Sequence, residues 1–227
     1  MGYPTTVGHR MVRASTTPRN SQMIALVDTQ ATTASAEALR GMLVARKEVF
    51  VDLLGWEVPV LDGRYEIDQF DNEHARYLIL VDANGHLGSA RLLPTNRPHI
   101  LDTLFPAVCA GPVPRGPTTF EITRFCLDRR LNALRRRDVR NRLVTALVLH
   151  AMNEGIDTYT GVAEAAWLNQ ILRFGWDAVA LGQPMPSAGQ SLGALRIRIT
   201  GDTPSRLTKT GMWMPTTRAH EAPIQAA

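Results

Sequence analysis

The sequence predicts a single domain of the α/β or α+β class, built around one central mixed sheet. Helical and strand patterns alternate between residues 23 and 200, which is typical of a sheet flanked by helices. The strand patterns at 76–82 and 86–93 are joined only by the sequence Ala-Asn-Gly, which favours a hairpin turn. A long helical pattern at 132–153 separates two further strand patterns, so both kinds of element belong to the same unit.

Each element is predicted from its hydrophobic period and from its boundary residues. Helical spacing begins beside Thr33 or Ser35, either of which suits an N-cap, and Gly155 and Gly175 close the two later helices. In chain order we predict a strand at 23–27, a helix at 35–54, strands at 76–82 and 86–93, a short helix at 99–105, a strand at 120–130, a helix at 132–153, a strand at 157–162, a helix at 163–174, and strands at 176–181 and 192–200.

The two ends of the chain show no periodic pattern. Residues 1–22 are rich in Thr, Arg, Ser and Pro, so we predict a flexible N-terminal extension. Residues 201–227 are predicted as a loose C-terminal tail, in which the Met-Trp-Met string at 212–214 is able to anchor one part. These ends place the folded domain at 23–200.

The composition is that of an ordinary globular protein. Of 227 residues, 44% are hydrophobic and 20% are charged. No apolar run approaches the roughly 18 residues needed to cross a bilayer, and no apolar segment of a secretory signal follows the first arginines. Cys109 and Cys126 lack metal-ligand or CxxC spacing. We therefore predict a cytoplasmic protein without a metal or a membrane partner. The net charge of +4 by itself favours an acidic partner, whether nucleic acid, a membrane surface or an acidic protein.

Glu121 and Arg124 interrupt the otherwise apolar strand pattern FEITRFCL. Burying a charged side chain without a partner costs several kcal/mol, so both residues need an explanation. Residues three apart face opposite sides of a regular strand. The two side chains can therefore reach one site only if a bulge interrupts the pleat, and we predict such an irregularity here.

Further charges stand in or beside apolar patterns. Arg46 lies at the centre of a helical apolar stripe that runs from Leu39 to Leu53, and Arg91 shares a strand face with leucines. The segment GRYEIDQFD supplies Asp68 and Asp71. Taken singly, each has an ordinary interpretation, because an arginine can extend its head to water and loop acids are usually exposed.

Together, the three arginines and three acids predict one shared ionic cluster. A purely structural network is the alternative, but buried ion networks rarely stabilise a fold better than apolar residues do. A functional cleft is the better interpretation. Because the cleft offers both signs of charge, we expect a zwitterionic ligand.

The order of charged and aromatic residues resembles that of the acyl-homoserine-lactone synthases, the LuxI-type autoinducer synthases. The resemblance covers roughly residues 23–200 and depends on the strings RKEVFVDLLGW, YEIDQFD, GSARLLPT, LFP and FEITRF. It implies a GNAT-like fold: a mixed, mostly antiparallel sheet flanked by helices, with a V-shaped cleft between splayed strands.

The resemblance also implies a reaction that makes a quorum-sensing signal. The amine of S-adenosylmethionine attacks an acyl thioester, carried by acyl carrier protein or by CoA, and forms an amide. The methionyl carboxylate then attacks its own γ-carbon and expels methylthioadenosine, which closes the lactone. S-adenosylmethionine is a substrate here, so no cofactor is implied.

Individual roles follow from the resemblance. Glu121 corresponds to the family's proposed base, and Arg124 to a residue that holds a substrate carboxylate or orients Glu121. Phe50 and Trp56 correspond to the wall of the adenosine and sulfonium region, where an aromatic face attracts a cation. The other predicted pocket residues are Arg46, Asp68, Asp71, Arg91, Phe105 and Thr123.

An arginine-rich stretch opens the long helix. We predict it as a docking surface for acyl carrier protein, which is strongly acidic, with a solvated helix start as the alternative. No helix-turn-helix, zinc or RNA-binding motif accompanies it, so we predict no nucleic-acid partner. The predicted docking residues are Arg135, Arg136, Arg137 and Arg140.

The residues that line the acyl pocket are the ones that the sequence indicates least clearly. Trp167, Leu168 and Phe174 are candidates for its lining, with ordinary core packing as the alternative. Residues 163–165 stand where relatives that take 3-oxo chains tend to carry Thr, and their sequence Ala-Glu-Ala favours a different chain. The acetyltransferase pyrophosphate string Q/R-x-x-G-x-G/A is missing from 135–143, which argues against a standard acetyl-CoA enzyme.

Two other functions stay open at this stage. One is a GNAT-like N-acyltransferase that joins a CoA-borne acyl group to another amine, and the other is a basic regulatory or nucleic-acid-binding domain. Release of methylthioadenosine distinguishes the synthase from both. We expect a monomer or a weak dimer.

Overall fold

The computed structural model describes residues 23–27, 33–187 and 189–214. The helices are α1 (Thr33–Arg46), α2 (Ile100–Thr103), α3 (Ala133–Glu154), α4 (Ala165–Ile171) and α5 (Thr203–Lys209), with a π-helical continuation of α1 at Lys47–Leu53 and a 3-10 turn at Pro106–Val108. The strands are β1 (Met23–Val27), β2 (Val60–Leu61), β3 (Tyr65–Glu66), β4 (Arg76–Asp82), β5 (Gly85–Pro94), β6 (Thr119–Leu127), β7 (Thr158–Glu164), β8 (Asp177–Ala180), β9 (Met185–Ser187) and β10 (Gln190–Arg198).

One eight-stranded sheet organises the domain. Its order is β1-β4-β5-β6-β7-β10-β8, with β9 also paired to β10, while β2 and β3 form a separate two-stranded sheet. Every neighbouring pair is antiparallel except β6 and β7, which run parallel. The predicted mixed, mostly antiparallel sheet is therefore confirmed.

The parallel pair β6–β7 opens into a V. Its pairing covers only Thr119–Glu121 against Thr158–Thr160. Gly161 follows at once, and a Cβ atom there would lie 3.0 Å from the carbonyl oxygen of Ile122. The two backbones are therefore still close at Gly161, but their paired ladder has already ended at Thr160. The strands separate beyond Gly161 and leave a cleft between them.

The main hydrophobic core lies between the sheet and α3. Asn132 caps this helix by accepting a hydrogen bond from the backbone of Arg135, and Gly155 ends it in the left-handed region at φ 68°. Between these caps, Leu143, Val144 and other apolar side chains are fully buried against the sheet. On the opposite sheet face, α1 and the segment after β3 contribute a second cluster that includes Met42, Phe70 and Ile79.

Two predicted boundaries need correction. The helix predicted at 163–174 begins only at Ala165, because β7 continues to Glu164, whose carboxylate accepts hydrogen bonds from the first backbone N–H groups of α4. The chain is also folded beyond residue 200. Leu207 of α5 is fully buried in the main core, and the backbone of Met214 donates to Thr145. The short elements β2, β3, β9 and α5 were not predicted.

The remaining end predictions lie outside the described residues. These are the flexible extension at 1–22 and the last part of the predicted tail, 215–227. Among the residues that the structure does describe, no helix is both long enough and apolar enough to cross a membrane.

Candidate active site

Three arginines and three carboxylates form a closed ring of alternating charge. Each carboxylate contacts two guanidinium groups, and each guanidinium contacts two carboxylates. In order around the ring the members are Arg46, Glu66, Arg124, Asp68, Arg91 and Asp71. The ring carries no net charge and no member is more than 10% exposed, so it satisfies its own charges inside the fold.

Several contacts in the ring are two-point contacts. Arg46 donates from Nη1 and Nη2 to the two oxygens of Asp71, both at 2.8 Å, and from Nε to Glu66. Arg91 binds both oxygens of Asp68 at 2.7 and 3.0 Å. Such paired bonds fix the plane of each guanidinium, which single-point contacts would leave free to rotate.

The ring joins elements that are distant in the chain. Arg46 is the last residue of α1, Arg91 lies on β5 and Glu66 on β3. The turn after β3 brings Asp68 and Asp71 together, since the backbone N–H of Asp68 donates to the carboxylate of Asp71 at 2.9 Å. The ring therefore fixes the β2–β3 segment and the end of α1 to the central strands.

A β-bulge places Arg124 in the ring. Between Ser89 and Arg91 of β5 lies one residue, whereas two residues lie between their partners Cys126 and Thr123 on β6. Arg124 occupies the bulge with φ 49°, a left-handed conformation that is uncommon for a non-glycine residue. The interrupted pleat that the sequence predicted is present.

The ring controls the protonation of its own acids. Burial alone would raise the pKa of Asp71, but the hydrogen bond from Arg46 and the charge of Arg91 hold it well below its usual value. Asp68 behaves similarly, because Arg91 and Arg124 outweigh the effect of burial and lower its pKa. Tyr77, whose hydroxyl donates to Asp71 at 2.8 Å, has its pKa raised by burial and by that carboxylate.

Beside the ring, a cavity of about 320 Å³ passes through the V between β6 and β7. At the α1 face, Phe50 and Trp56 stack with ring centroids 4.7 Å apart, and the guanidinium of Arg124 lies 5.6 and 5.9 Å from those centroids. Thr123 also lines the cavity, and its hydroxyl accepts a hydrogen bond from Nε of Arg91 at 2.9 Å. An aromatic pair and a cation therefore meet at one end of the cavity.

The other end of the cavity is apolar. It lies against α3 and α4, where four aromatic side chains contact one another in series with centroid separations of 5.6 to 5.7 Å. These side chains are Phe125, Trp167, Phe174 and Trp176, and all four line the cavity. An aliphatic or aromatic chain entering here would leave water for an apolar surface.

Glu121 lies apart from the ring. Its side chain is fully buried, and its Oε1 accepts a hydrogen bond of 3.0 Å from the backbone N–H of Leu101 at the start of α2. Burial raises the pKa of this carboxyl to about 8, although the N–H groups of Leu101 and Ile100 oppose the shift. Arg124 binds Glu66 and Asp68 instead, so the prediction that it orients Glu121 is wrong.

Two other candidates lie away from the cavity. Phe105 lies in the apolar clusters around α2 and does not line the cavity. Leu168 is a core residue with 2% exposure, which is the alternative that the sequence left open for it. Glu66 was missed, although it is fully buried and completes the ring. The string YEIDQFD contains it, and its spacing of two residues before Asp68 was the available signal.

The predicted docking arginines divide into two groups. Arg136 and Arg137 are exposed at the start of α3. Arg135 is half-buried, with its guanidinium 3.6 Å from Asp82, and Arg140 lies over the ring of Phe174 at 5.2 Å. Burial and the charge of Arg137 lower the pKa of Arg140. The position of Arg140 against the core argues against a docking role for it.

No group of three or more His, Cys, Asp or Glu side chains within the described residues is arranged to hold a metal ion. The site therefore consists of the ion ring, the aromatic pair, the cavity and the buried Glu121.

Comparison with known proteins connects this arrangement with one family. The family model described as autoinducer synthase matches residues 30–206. The acyl-homoserine-lactone synthase of Ralstonia nicotianae is 34% identical over 166 residues, which cover 70% of this chain and 80% of that protein. The corresponding enzyme of Rhizobium etli is 36% identical over 66% of this chain and 72% of its own length.

Solved structures give the same result. The CoA-dependent acyl-homoserine lactone synthase BjaI, solved with MTA and also with SAM and isopentyl-CoA, superposes with a TM-score of 0.75 at 26% identity, covering 86% of this chain and 92% of that one. These similarities also confirm the predicted GNAT-like fold. Because the family model covers most of this chain and the two relatives are 34% and 36% identical to it, the chain belongs to the autoinducer synthase family, whose members are acyltransferases.

Proposed function

We propose that this chain synthesises an acyl-homoserine lactone from S-adenosylmethionine and an acyl thioester. The observation that carries the proposal is the cavity through the β6–β7 cleft, which is cationic and aromatic at one end and apolar at the other. An amino-acid substrate suits the first end and an acyl chain suits the second. The two substrates would then meet where the strands separate.

The aromatic pair and Arg124 are the proposed S-adenosylmethionine site. A sulfonium is attracted to the faces of Phe50 and Trp56, as other cations are. The guanidinium of Arg124, at the rim of the ring and 10% exposed, is the ring's only arginine that lines the cavity, so it is available to a substrate carboxylate. Arg46, Asp68, Asp71 and Arg91 would fix the wall behind this site.

Glu121 is the proposed base. It takes a proton from the substrate ammonium, and the resulting amine attacks the thioester carbonyl carbon. The tetrahedral intermediate expels the carrier thiolate, which takes up a proton as the amide forms. Beyond Glu121 the side of β6 that faces β7 has no ladder partner, so backbone N–H groups there are placed to stabilise the oxyanion.

Lactone closure follows within the acylated substrate. The carboxylate oxygen attacks the γ-carbon, the carbon–sulfur bond breaks, and the electron pair leaves with neutral methylthioadenosine. Because the step is intramolecular, holding the chain in a folded conformer supplies most of the required assistance. Arg124 would provide that hold.

For the acyl donor we propose an acidic carrier protein that docks at Arg136 and Arg137. Both side chains are exposed, and surface charge of one sign accelerates encounter with a partner of the other sign. An acyl-CoA is the second candidate donor, because the structurally similar BjaI is CoA-dependent.

The test is a reconstituted reaction. Purified chain, S-adenosylmethionine and a panel of acyl carrier protein and CoA thioesters are incubated, and methylthioadenosine and lactones are measured by mass spectrometry. Equal release of both products is expected, and Glu121→Gln should lower turnover by roughly 10² or more while the fold is retained. An amide of another amine without methylthioadenosine would instead indicate the general N-acyltransferase.

A further inference from the structure

Three of the buried side-chain atoms that lack a hydrogen-bond partner among the described residues lie in one row across the sheet. They are Oε2 of Glu121 on β6, Oγ1 of Thr160 on β7 and Nε of Arg196 on β10. Glu121 is the register partner of Thr160, and Thr160 is the register partner of Arg196. Register partners on neighbouring strands point to the same face of a sheet. The three side chains therefore share the α2 face.

Neighbouring members of the row have complementary hydrogen-bonding groups. The guanidinium N–H is only a donor, a hydroxyl has one donor and two acceptor positions, and a carboxylate is only an acceptor. Glu121 and Thr160 are fully buried, so leaving these atoms unpaired would cost about 1–3 kcal/mol each. Thr160 has the donor that Glu121 needs and the acceptor that Arg196 needs.

Thr160 also connects the base to the cavity. Glu121 does not line the cavity, whereas Thr160 does, at the point where β6 and β7 separate. If Glu121 acts on a substrate in this cavity, the proton must pass through an intermediate group. Thr160 supplies the hydroxyl in this row.

We propose that the Thr160 hydroxyl relays between Glu121 and the substrate amine, and this rests on the proposed function. Neither Oε2 of Glu121 nor Oγ1 of Thr160 has a hydrogen-bond partner among the described residues, so the two do not bond each other directly, and one water bridges them. The Thr160 hydroxyl donates to this water and accepts from the substrate ammonium, and Nε of Arg196, the third unpaired atom, is a further donor for the water. In the transfer, a proton moves from the ammonium to Oγ1, the hydroxyl proton moves to the water, and a proton of the water moves to Glu121. The ammonium becomes an amine and the carboxylate becomes a carboxylic acid.

Other groups around Glu121 act on its charge but cannot replace this hydroxyl. Arg91 on β5 favours the carboxylate, Asp102 on α2 disfavours it, and the N–H groups of Ile100 and Leu101 bind the other oxygen. His99 precedes α2 and is fully buried, and burial lowers its pKa, so it is uncharged near neutral pH. Thr123 also lines the cavity, but its hydroxyl already accepts from Nε of Arg91, whereas Oγ1 of Thr160 has no partner among the described residues.

The test compares Thr160→Val, which keeps the branched shape, with Thr160→Ser, which keeps the hydroxyl. We expect Thr160→Val to lower kcat/KM by roughly tenfold or more and to move the ascending limb of its pH profile to higher pH, because the water that donates to the carboxylate loses one of its partners. Thr160→Ser should keep kcat/KM within about threefold of the parent value and should leave the ascending limb near its parent position. Arg196→Met should shift the profile in the same direction by less.

A double-mutant cycle distinguishes failure of the relay from failure of the base assignment. If the relay acts through Glu121, Thr160→Val should cost nothing more in the Glu121→Gln background. An equal cost in both backgrounds, or equal defects in the Val and Ser variants, would overturn the relay. If Glu121→Gln is nearly as active as the parent chain, the base assignment itself fails, whatever Thr160 does. Circular dichroism checks the fold of each variant, and Thr160→Ala serves if Thr160→Val is unstable.

Discussion

Arg46 and Asp71 are joined by two parallel hydrogen bonds of 2.8 Å inside the protein. The pair forms one side of the six-membered charge ring, in which every charged group has two partners of opposite sign. Removing any member therefore takes one of two partners from each of two buried neighbours and leaves the ring with an uncompensated charge, which is more costly than losing a surface ion pair.

The first prediction concerns the stability of this ring. Arg46→Met should lower the free energy of unfolding by about 3–5 kcal/mol, because Glu66 and Asp71 each lose a buried cation. Urea unfolding measures the change. The neighbouring variant Lys47→Met is the control, since Lys47 pairs with the partly exposed Asp52 and should cost less than about 1 kcal/mol. Similar losses in both variants would contradict a special role for the ring.

The second prediction concerns the aromatic pair. Trp56→Ala should weaken S-adenosylmethionine binding by roughly tenfold or more, because the stacked face beside Arg124 is lost, while acyl-donor binding changes little. Trp56→Phe should lose less. Calorimetry with each substrate measures both affinities. Leu61→Ala removes a side chain that is 54% exposed and is the control. An unchanged affinity in Trp56→Ala would place this indole outside the site.

The third prediction concerns pH and stability. The pKa of Glu121 is near 8 in the folded chain, above its ordinary value, so the folded chain binds this proton more tightly than the unfolded chain. The contribution of Glu121 to the free energy of unfolding should therefore fall as pH rises from about 4.5 to about 8, since each pKa unit corresponds to about 1.4 kcal/mol. His86, whose pKa burial lowers to about 4, acts in the opposite direction below about pH 6.5, so the Glu121 contribution is read from the difference between variants.

Glu121→Gln should remove that contribution. Relative to the parent chain, it should be more stable at pH 8.5 than at pH 5, as measured by urea unfolding at each pH. Glu57→Gln, which removes an exposed carboxylate, is the matched control. If the parent and Glu121→Gln curves run parallel over this range, Glu121 is not held protonated by burial.

The fourth prediction concerns the acyl chain. Ala163 is buried on β7 and lines the cavity, so Ala163→Phe should fill its apolar end. We expect kcat/KM for long acyl chains to fall by roughly tenfold or more, while short chains and S-adenosylmethionine binding are nearly unaffected. Mass spectrometry of the lactones gives the chain distribution. Ala166→Phe, at the exposed second residue of α4, should leave that distribution unchanged.

The fifth prediction concerns the carrier. Reversing Arg136 and Arg137 to Glu should raise the KM for an acyl carrier protein thioester by roughly tenfold, and salt should reduce the difference. The KM for the matching acyl-CoA should stay constant. Arg198→Glu, at an exposed position on β10, is the control for a charge reversal elsewhere on the surface and should leave both KM values unchanged. Equal effects on both donors would locate docking elsewhere.

Local patterns were sufficient to predict most of the elements and part of the site. The hairpin β4–β5 and the capped helix α3 depend on turn and cap residues close in sequence, and both were predicted within a few residues. The bulge at Arg124 was predicted on the assumption that Glu121 and Arg124 reach one site; it is present, although Glu121 lies apart from the ring. Each of these features is determined by neighbours along the chain.

The features that were missed depend on contacts between distant segments. Glu66 lies in a strand of two residues, too short to show alternation, and its partners Arg46 and Arg124 are 20 and 58 residues away. Helix α5 is stabilised by burial of Leu207 in the main core, which its polar sequence does not reveal. The separation of Glu121 from the ring depends on where α2 packs, and no period in the sequence carries that information.

The short parallel pairing of β6 with β7 divides the main sheet into two halves, one beside the ion ring and the other beside the apolar end of the cavity. The ion ring takes its residues on the main sheet from β5 and β6, whereas the apolar end of the cavity is built largely from β7, α4 and the strands that follow. Substitutions in the apolar lining of the second half can therefore change the preferred acyl chain while the ring, Glu121, Thr160 and Arg196 are kept. Exchange of residues 161–195 between two relatives, which leaves Thr160 and Arg196 in place, would show whether the acyl chain follows this half of the sheet.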